Sequence, residues 1–519
     1  MKRRTFLRHT GTAVSIPLLL NGLKLSASPR QAMFRHLNPD NDKVIVLIQL
    51  IGGNDGLNCI VPMDQYDNLA NARGNILLPE NELLYVTDTN FFHPAMLGMK
   101  SLYDDAKMRI VQSVGYPNQN RSHFRSLDIW NTGSPAEEAW RTGWFGRYFE
   151  SLHPSFPTNY PNEEYPHPFA ITMASIVSET CQGTASNFSM TLEDPFSLSP
   201  LTEGNGSVPP DTPYGEELEF LRISISQTND YAAMITEAAN LGNNIQAYPT
   251  DNNLAEYLKT IALLLSGGLQ TKVFIVPLGG FDTHANQVEE GKPADGEHAG
   301  LLSELSDAVN AFHKDLQALG LGERVVTMTF SEFGRQIKSN ESFGTDHGTA
   351  APLMLFGQCV VPGFLGNNPE IPNQVADQEG LAMQYDFRDV YGSVLMDWFE
   401  VPEDDVRNLF YQDFQYLPVL QPCSTVNAEK LRLQAEDLQL HVFPSPFQHG
   451  AQIRFYSEGA WVKLSLFNSL GSEVRVLTNR RLPVGQHDLR LEGHGLAPGN
   501  YYLRLQMDSR QKVVGVVKI

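Results

Sequence analysis

Between residues 43 and 410, apolar runs alternate with segments of helical periodicity. Lys43–Ile51 reads KVIVLIQLI, an almost unbroken apolar run. Such a run is expected of a strand buried on both faces of a sheet. Lys272–Leu278 (KVFIVPL) and Arg324–Phe330 (RVVTMTF) read the same way. Between these two, Leu301, Leu302, Leu305, Ala308, Val309, Phe312 and Leu316 recur at helical spacing. They predict an amphipathic helix over roughly residues 300–319. Strand, helix, strand implies a parallel, doubly wound sheet, whose ligands gather at the carboxyl ends of its strands.

From about Leu438 the period shortens to two. Val462–Phe467 (VKLSLF) and Tyr501–Leu505 (YYLRL) alternate, and Asn468–Gly471 and Ala497–Asn500 supply turns. Short alternating strands at regular spacing predict a small all-β sandwich. The organisation expected is an α/β domain over 43–416, a linker over 417–437 containing Pro418 and Pro422, and a β-sandwich over 438–519.

The N-terminus differs again. Lys2, Arg3, Arg4 and Arg8 precede a short apolar run, Ala13–Leu20, and small residues follow at Ser26, Ala27 and Ser28. The run is too short to span a bilayer, and the whole reads as a signal peptide over residues 1–28. No transmembrane segment is expected in the mature chain.

Charge sharpens this division. The chain carries a net charge of -21, yet its first 29 residues hold no acid. Residues 440–519 hold ten Lys and Arg against five Asp and Glu, so the middle is strongly acidic. That surface repels phosphodiester backbones, and nucleic acid is not an expected partner. The four cysteines, Cys59, Cys181, Cys359 and Cys423, form no C-x-x-C pair. A zinc ribbon is thereby unsupported, while three disulfide connectivities or free buried thiols both stay open.

Polar residues crowd the ends of the predicted strands. Gly52, Gly53, Asn54 and Asp55 follow the first; Gly279, Gly280, Phe281, Asp282, Thr283, His284 and Asn286 follow the second. Ser331, Glu332, Phe333, Gly334 and Arg335 follow the third, with Gly344, Thr345, Asp346, His347 and Gly348 beyond. Asn120, Arg121, Ser122, His123 and Phe124 follow a shorter strand over Met108–Val114. Carboxylates and imidazoles converging from several strand ends form a ligand set for hard or borderline divalent metals.

At these residues the chain resembles a large bacterial family of unknown function, number 1501. Its members carry GGNDGLN, RSHF, GxDTH, SEFGR and TDHG in this order. The family is grouped with the alkaline phosphatase and sulfatase superfamily. The resemblance implies a three-layer α/β/α sandwich of alkaline-phosphatase-like type with a metal-assisted hydrolase site. It implies Ser122 as nucleophile and metal ligands drawn from Asp55, Asp282, His284, Glu332, Asp346 and His347. Arg121, Arg335 or Arg388 would clamp a small anionic ester. Two positions depart from the superfamily pattern: Asn286 stands four residues after Asp282 where His is usual, and Glu332-Phe333 stands where Asp-His is usual. One divalent ion is therefore expected rather than two, with zinc, calcium, magnesium and manganese not distinguished. The sulfatase formylglycine motif C-x-P-x-R is absent from the sequence.

Two further resemblances concern export. The arginine pair followed by Phe6-Leu7 resembles a twin-arginine signal. Val442–Phe447, the turn at Asn468–Gly471, Leu496–Tyr502 and the terminal Val513–Ile519 resemble the type A sorting domain of the type IX secretion system. They imply twin-arginine and type IX export machinery as partners, and a cell-surface or secreted protein.

Overall fold

The computed structural model describes residues 41–201, 209, 212–423 and 440–519, apart from 444, 459–460, 469–472, 483 and 508–509. The expected signal peptide, and the linker from residue 424 on, lie outside the described residues. Two compact units divide at Cys423 and Ser424.

The first unit is built on a nine-stranded sheet. Its strands are β1 (Val44–Leu50), β2 (Met108–Gly115), β3 (Ala170–Thr172), β4 (Ser189–Thr191), β5 (Val273–Leu278), β6 (Val325–Phe330), β7 (Ala351–Phe356), β8 (Gly363–Leu365) and β9 (Tyr385–Asp386). The order is β8-β2-β7-β6-β1-β5-β3-β4, with β9 beside β2. All neighbours pair in parallel except β7, which runs antiparallel to both β2 and β6. The expected wholly parallel sheet therefore contains one reversed strand. At its centre, Leu50 pairs with Leu278 and Gln49 with Phe330, so β1, β5 and β6 end level with one another.

Alternation along β1 feeds two cores. Val44, Val46, Ile48 and Leu50 pack on one face, with helices α1 (Leu97–Asp104), α5 (Asn253–Ser266) and α6 (Glu297–Ala318). Ile45 and Leu47 pack on the other, with α2 (His123–Thr132), α3 (Trp144–Leu152) and α7 (Phe387–Phe399). α4 (Pro213–Leu241) joins the first face. The result is a three-layer α/β/α unit. Helix α6 covers the segment the leucine periodicity predicts, and Leu302, Leu305, Val309, Phe312 and Leu316 are all fully buried. Among the described residues, no helix is long and apolar enough to cross a membrane.

Residues 417–423 do not behave as a linker. Leu417 donates its N–H to Ser393 Oγ at 2.8 Å, Val419 and Leu420 enter the second core, and Cys423 is disulfide-bonded to Cys359. Cys59 and Cys181 are free and buried.

The second unit holds two antiparallel sheets. One contains β10 (Leu440–Phe443), β11 (Gly450–Glu458) and β14 (Val484–Glu492); the other contains β12 (Trp461–Asn468), β13 (Glu473–Arg481), β15 (Gly499–Met507) and β16 (Arg510–Lys518). Ile453 and Phe455 from the first sheet share a core with Leu464, Leu466, Leu503 and Leu505 from the second. This is the sandwich that the period-two pattern predicts.

Candidate metal centre

Because β1, β5 and β6 end level, their following loops meet. The first loop can enter only as glycine. Gly52 has φ +121°, and a Cβ there would lie 2.2 Å from the backbone N of Asp282. Gly53 has φ +90°, and a Cβ there would lie 2.6 Å from the Phe333 ring. L side chains rarely adopt such φ values.

Arg335 clasps the loops together from beneath. Its buried guanidinium donates to the carbonyls of Gly52, Gly53 (2.8 Å), Phe281 (2.7 Å) and Thr345 (3.0 Å), and to Asp282 Oδ1 (2.8 Å). All its donor nitrogens are thus spent on protein. The expected substrate clamp is instead a structural clasp.

Asp282 stands on this clasp, and three imidazoles face it. His123 opens α2, with Nδ1 2.8 Å from Glu332 Oε1 and Nε2 3.4 Å from Asp282 Oδ2. His284 has Nδ1 2.6 Å from Asp346 Oδ1 and Nε2 3.2 Å from Asp282 Oδ1. His347 has Nδ1 2.9 Å from the Arg121 carbonyl and Nε2 3.0 Å from Asp282 Oδ1. A carboxylate or carbonyl can only accept, so with a cation at Nε2 each ring keeps its hydrogen on Nδ1. In that tautomer each neutral ring turns its Nε2 lone pair to the cation beside Asp282, whereas in the other tautomer His347 Nε2 donates to Asp282 Oδ1 at 3.0 Å. The Nε2 atoms of His284 and His347 are 2.9 Å apart.

Lone pairs and a carboxylate crowded in this way repel unless a cation stands among them. One donor atom each from His123, Asp282 and His347 can be chosen so that all lie within 4.8 Å of one another. Bonds of about 2.0–2.2 Å to a shared zinc-like ion place ligand atoms at comparable separations. The donor set therefore fits a divalent metal. Burial opposes the charge of Asp282, but hydrogen bonds from Arg335 and His347 outweigh it and hold the carboxyl below its usual range. Burial, helped by Arg335 and His123, keeps His347 below the usual imidazole value against the pull of Asp282. Both shifts favour the metal-binding protonation states.

Around this centre the remaining sequence candidates take other places. Glu332 is buried one step out, where Oε1 accepts from Gly52 N–H and His123 Nδ1, each at 2.8 Å. Its Oε2 has no hydrogen-bond partner among the described residues. Asp346 stands behind His284 in the same way. Phe333 packs its ring 4.9 Å from His123 and 4.6 Å from His347, centroid to centroid. Hydrocarbon thus flanks the centre where the resemblance leads one to expect a histidine.

Asp55 is not part of the cluster. Both its oxygens bond Arg73 Nη1, at 3.0 and 2.8 Å, and Gln287 donates to Oδ2 at 2.6 Å. Burial disfavours its charge, yet Arg73, His298 and the hydrogen bonds win and hold the carboxyl low. Ser122 is exposed at the N-cap of α2, between His123 and the Arg121 carbonyl that holds His347. The Arg121 side chain donates to the Gln378 carbonyl at 2.7 Å. Arg388 is paired with Asp386 at 2.6 Å.

The sequence reading left out His123 as a ligand. It lies within the polar stretch Asn120–Phe124, next to the serine that the resemblance marks as nucleophile.

No curated protein matches the chain. Several solved structures resemble it. PorZ of Porphyromonas gingivalis, a surface component of the type-IX secretion system, is 16% identical over 20% of this chain, with TM-score 0.13; the match spans 13% of PorZ. A protein in the alkaline phosphatase superfamily from Vibrio parahaemolyticus is 9% identical, over 88% of this chain and 89% of its own, with TM-score 0.30. The PsFucS1 sulfatase from Pseudoalteromonas sp. is 10% identical, over 87% of this chain and 83% of its own, with TM-score 0.31. Residues 248–392, which carry Asp282, His284, Glu332, Asp346 and His347, match the profile of DUF1501, a protein family of unknown function.

Proposed function

We propose that this chain is a hydrolase of phosphate or sulfate esters that uses one borderline divalent ion. The carrying observation is the convergence of three Nε2 atoms on Asp282, each imidazole oriented by an acceptor behind it. His123, His284, His347 and Asp282 would hold the ion. When bound, it would supply Lewis-acid chemistry, polarising an ester oxygen and lowering the pKa of a nearby hydroxyl. Nitrogen-rich ligation favours zinc-like ions over calcium or magnesium. Ser122 would attack the phosphoryl or sulfuryl centre from its exposed position beside His123, the bond to the ester alcohol breaking as the serine proton passes to the departing oxygen, and water would then hydrolyse the seryl ester to release phosphate or sulfate. Glu332 and Asp346 would fix the tautomers and ring orientations of His123 and His284.

A second reading is a non-catalytic envelope protein that retains one metal. It is favoured by Phe333 beside the centre and by the full engagement of Arg335. Turnover of an aryl phosphate, an aryl phosphodiester and an aryl sulfate separates the two. The first reading expects turnover by the metal-loaded protein that falls at least about a hundredfold in Ser122→Ala, as for loss of a catalytic nucleophile. A metal-loaded protein inert on all three overturns it.

We further propose export in two stages, the twin-arginine signal serving the inner membrane and the C-terminal sandwich the outer one. Export of a folded chain is compatible with metal loading before translocation. Replacing Arg3 and Arg4 by lysine should hold the protein in the cytoplasm. Deleting residues 440–519 should hold it in the periplasm. Secretion of either variant at the normal level contradicts the corresponding stage.

A further inference from the structure

An ester bound at the centre needs a cation that the protein has not already spent. The segments that leave the carboxyl ends of β1, β2, β5, β6 and β9 carry several, and nearly all are paired. Arg73 meets Asp55, Arg335 meets Asp282 and Lys338 meets Asp377, each at 2.8 Å. Arg388 meets Asp386 at 2.6 Å and Lys292 meets Glu289 at 3.1 Å. Arg125 is paired with Asp128. Arg121 differs. Its guanidinium donates to a neutral partner, the Gln378 carbonyl, at 2.7 Å, and meets no carboxylate among the described residues.

Arg121 is also well placed. It immediately precedes Ser122, and its own carbonyl lies 2.9 Å from His347 Nδ1. Gln336 pairs with Gly380 and donates its N–H to the Asp346 carbonyl at 2.9 Å. The loop carrying Gln378 therefore lies against the segment carrying His347. Glu379, next to Gln378, is turned to the Ala376 N–H at 2.6 Å. The Arg121 side chain thus runs from the serine to a loop beside the centre.

Formal charge then limits what can bind. Asp282, Glu332 and Asp346 contribute three carboxylates around the centre. Arg335 and one divalent ion would offset them, with the imidazoles neutral as ligands. The charge left over beside Ser122 is that of Arg121. A monoanion matches it, and its paired oxygens suit the guanidinium fork. A dianion would leave one negative charge unmatched in a strongly acidic part of the chain. We propose that the substrate is a monoanionic tetrahedral ester, a sulfate monoester or a phosphodiester, and that Arg121 selects it over a dianionic phosphate monoester. This inference rests on the hydrolase reading above and names the substrate class of the same site.

Calorimetric binding to the zinc-loaded full chain carrying Ser122→Ala tests it without turnover. The probes are p-nitrophenyl sulfate, p-nitrophenyl methyl phosphate and p-nitrophenyl phosphate, each with one aryl ring. At pH 8 the last is a dianion, since its second proton leaves near pH 6. At least one monoanion should bind at least about tenfold more tightly than the dianion, and the tighter of the two identifies the sulfuryl or phosphoryl source. Adding Arg121→Gln should weaken that binding by about tenfold or more, and Arg121→Lys should lose less, because the charge remains. Lys107→Gln makes the same charge change just before β2, at the opposite end of the sheet, and should have no effect. Dianion binding as tight as that of both monoanions, with turnover intact in the chain that keeps Ser122, overturns this inference and leaves the hydrolase reading standing. Binding unchanged by Arg121→Gln, or weakened equally by Lys107→Gln, also overturns it. If none of the probes binds and the chain that keeps Ser122 turns none over, both readings fall.

Discussion

Each imidazole at the centre is turned by a group that can only accept a hydrogen bond. Glu332, Asp346 and the Arg121 carbonyl hold the three Nδ1 atoms, and the Nε2 atoms follow. Glu332 does most, because the same oxygen also takes Gly52 N–H and so fixes loop and ligand together. Glu332→Gln should lower metal affinity by about 10–100-fold without removing a ligand, as loss of an orienting carboxylate does elsewhere. Competition with a chromophoric chelator measures this; unchanged affinity would show that Glu332 does not tune the site. Much of this residue-level arrangement was legible only as composition. The sequence displays His284, His347 and Asp282 as strand-end residues. It cannot display that Arg73, eighteen positions downstream at the end of a short helix, captures Asp55. A buried guanidinium has no motif, so the first-strand aspartate reads as a ligand until its partner is seen.

At the scale of elements, three strands of equal reach bring three loops into van der Waals contact. The continuous apolar runs of β1, β5 and β6 made those strands readable. The reversed strand β7 was not, since Ala351–Phe356 carries no mark of its direction. The glycines after β1 set how closely the loops meet. Gly52→Ala combines a positive φ with a backbone contact of 2.2 Å. It should destabilise the fold by about 3 kcal/mol, the sum of backbone strain and overpacking. Gly268→Ala is the control, because Gly268 has φ +95° but nothing within 4 Å of a Cβ. It should cost only the backbone part, about 1 kcal/mol. Urea unfolding distinguishes them. Equal losses would mean that the close approach to Asp282 carries no energetic weight.

For the whole molecule, buried neutral histidines set the acid limit. Burial holds His313 at about 3, where Nε2 also bonds Thr327 Oγ1 at 3.0 Å. Burial likewise takes His153 and His298 to about 4 and His93 to about 3. An unfolded histidine takes its proton near pH 6.5, so these groups add stability that is complete above that pH. The contribution falls as pH drops from 6.5 toward the folded values. At pH 5 each such histidine should cost on the order of 2 kcal/mol. Urea midpoints should therefore fall between pH 7.5 and pH 5, and His313→Gln should remove part of that slope. An equal slope in the variant would contradict the assignment.

The division into an acidic α/β unit and a basic sandwich was visible in the chain's charge and periodicity. Its boundary was not, because residues 417–423 look like a linker yet are anchored by Ser393 and by the cysteine pair. The central claim concerns the ion. Metal content of the purified full chain, by inductively coupled plasma mass spectrometry after equilibration with a mixture of divalent ions, tests it most directly. About one zinc-like ion per chain is predicted, lost in Asp282→Asn and in His123→Ala while both variants keep their circular dichroism. A metal-free protein, or one whose metal survives both substitutions, would contradict it.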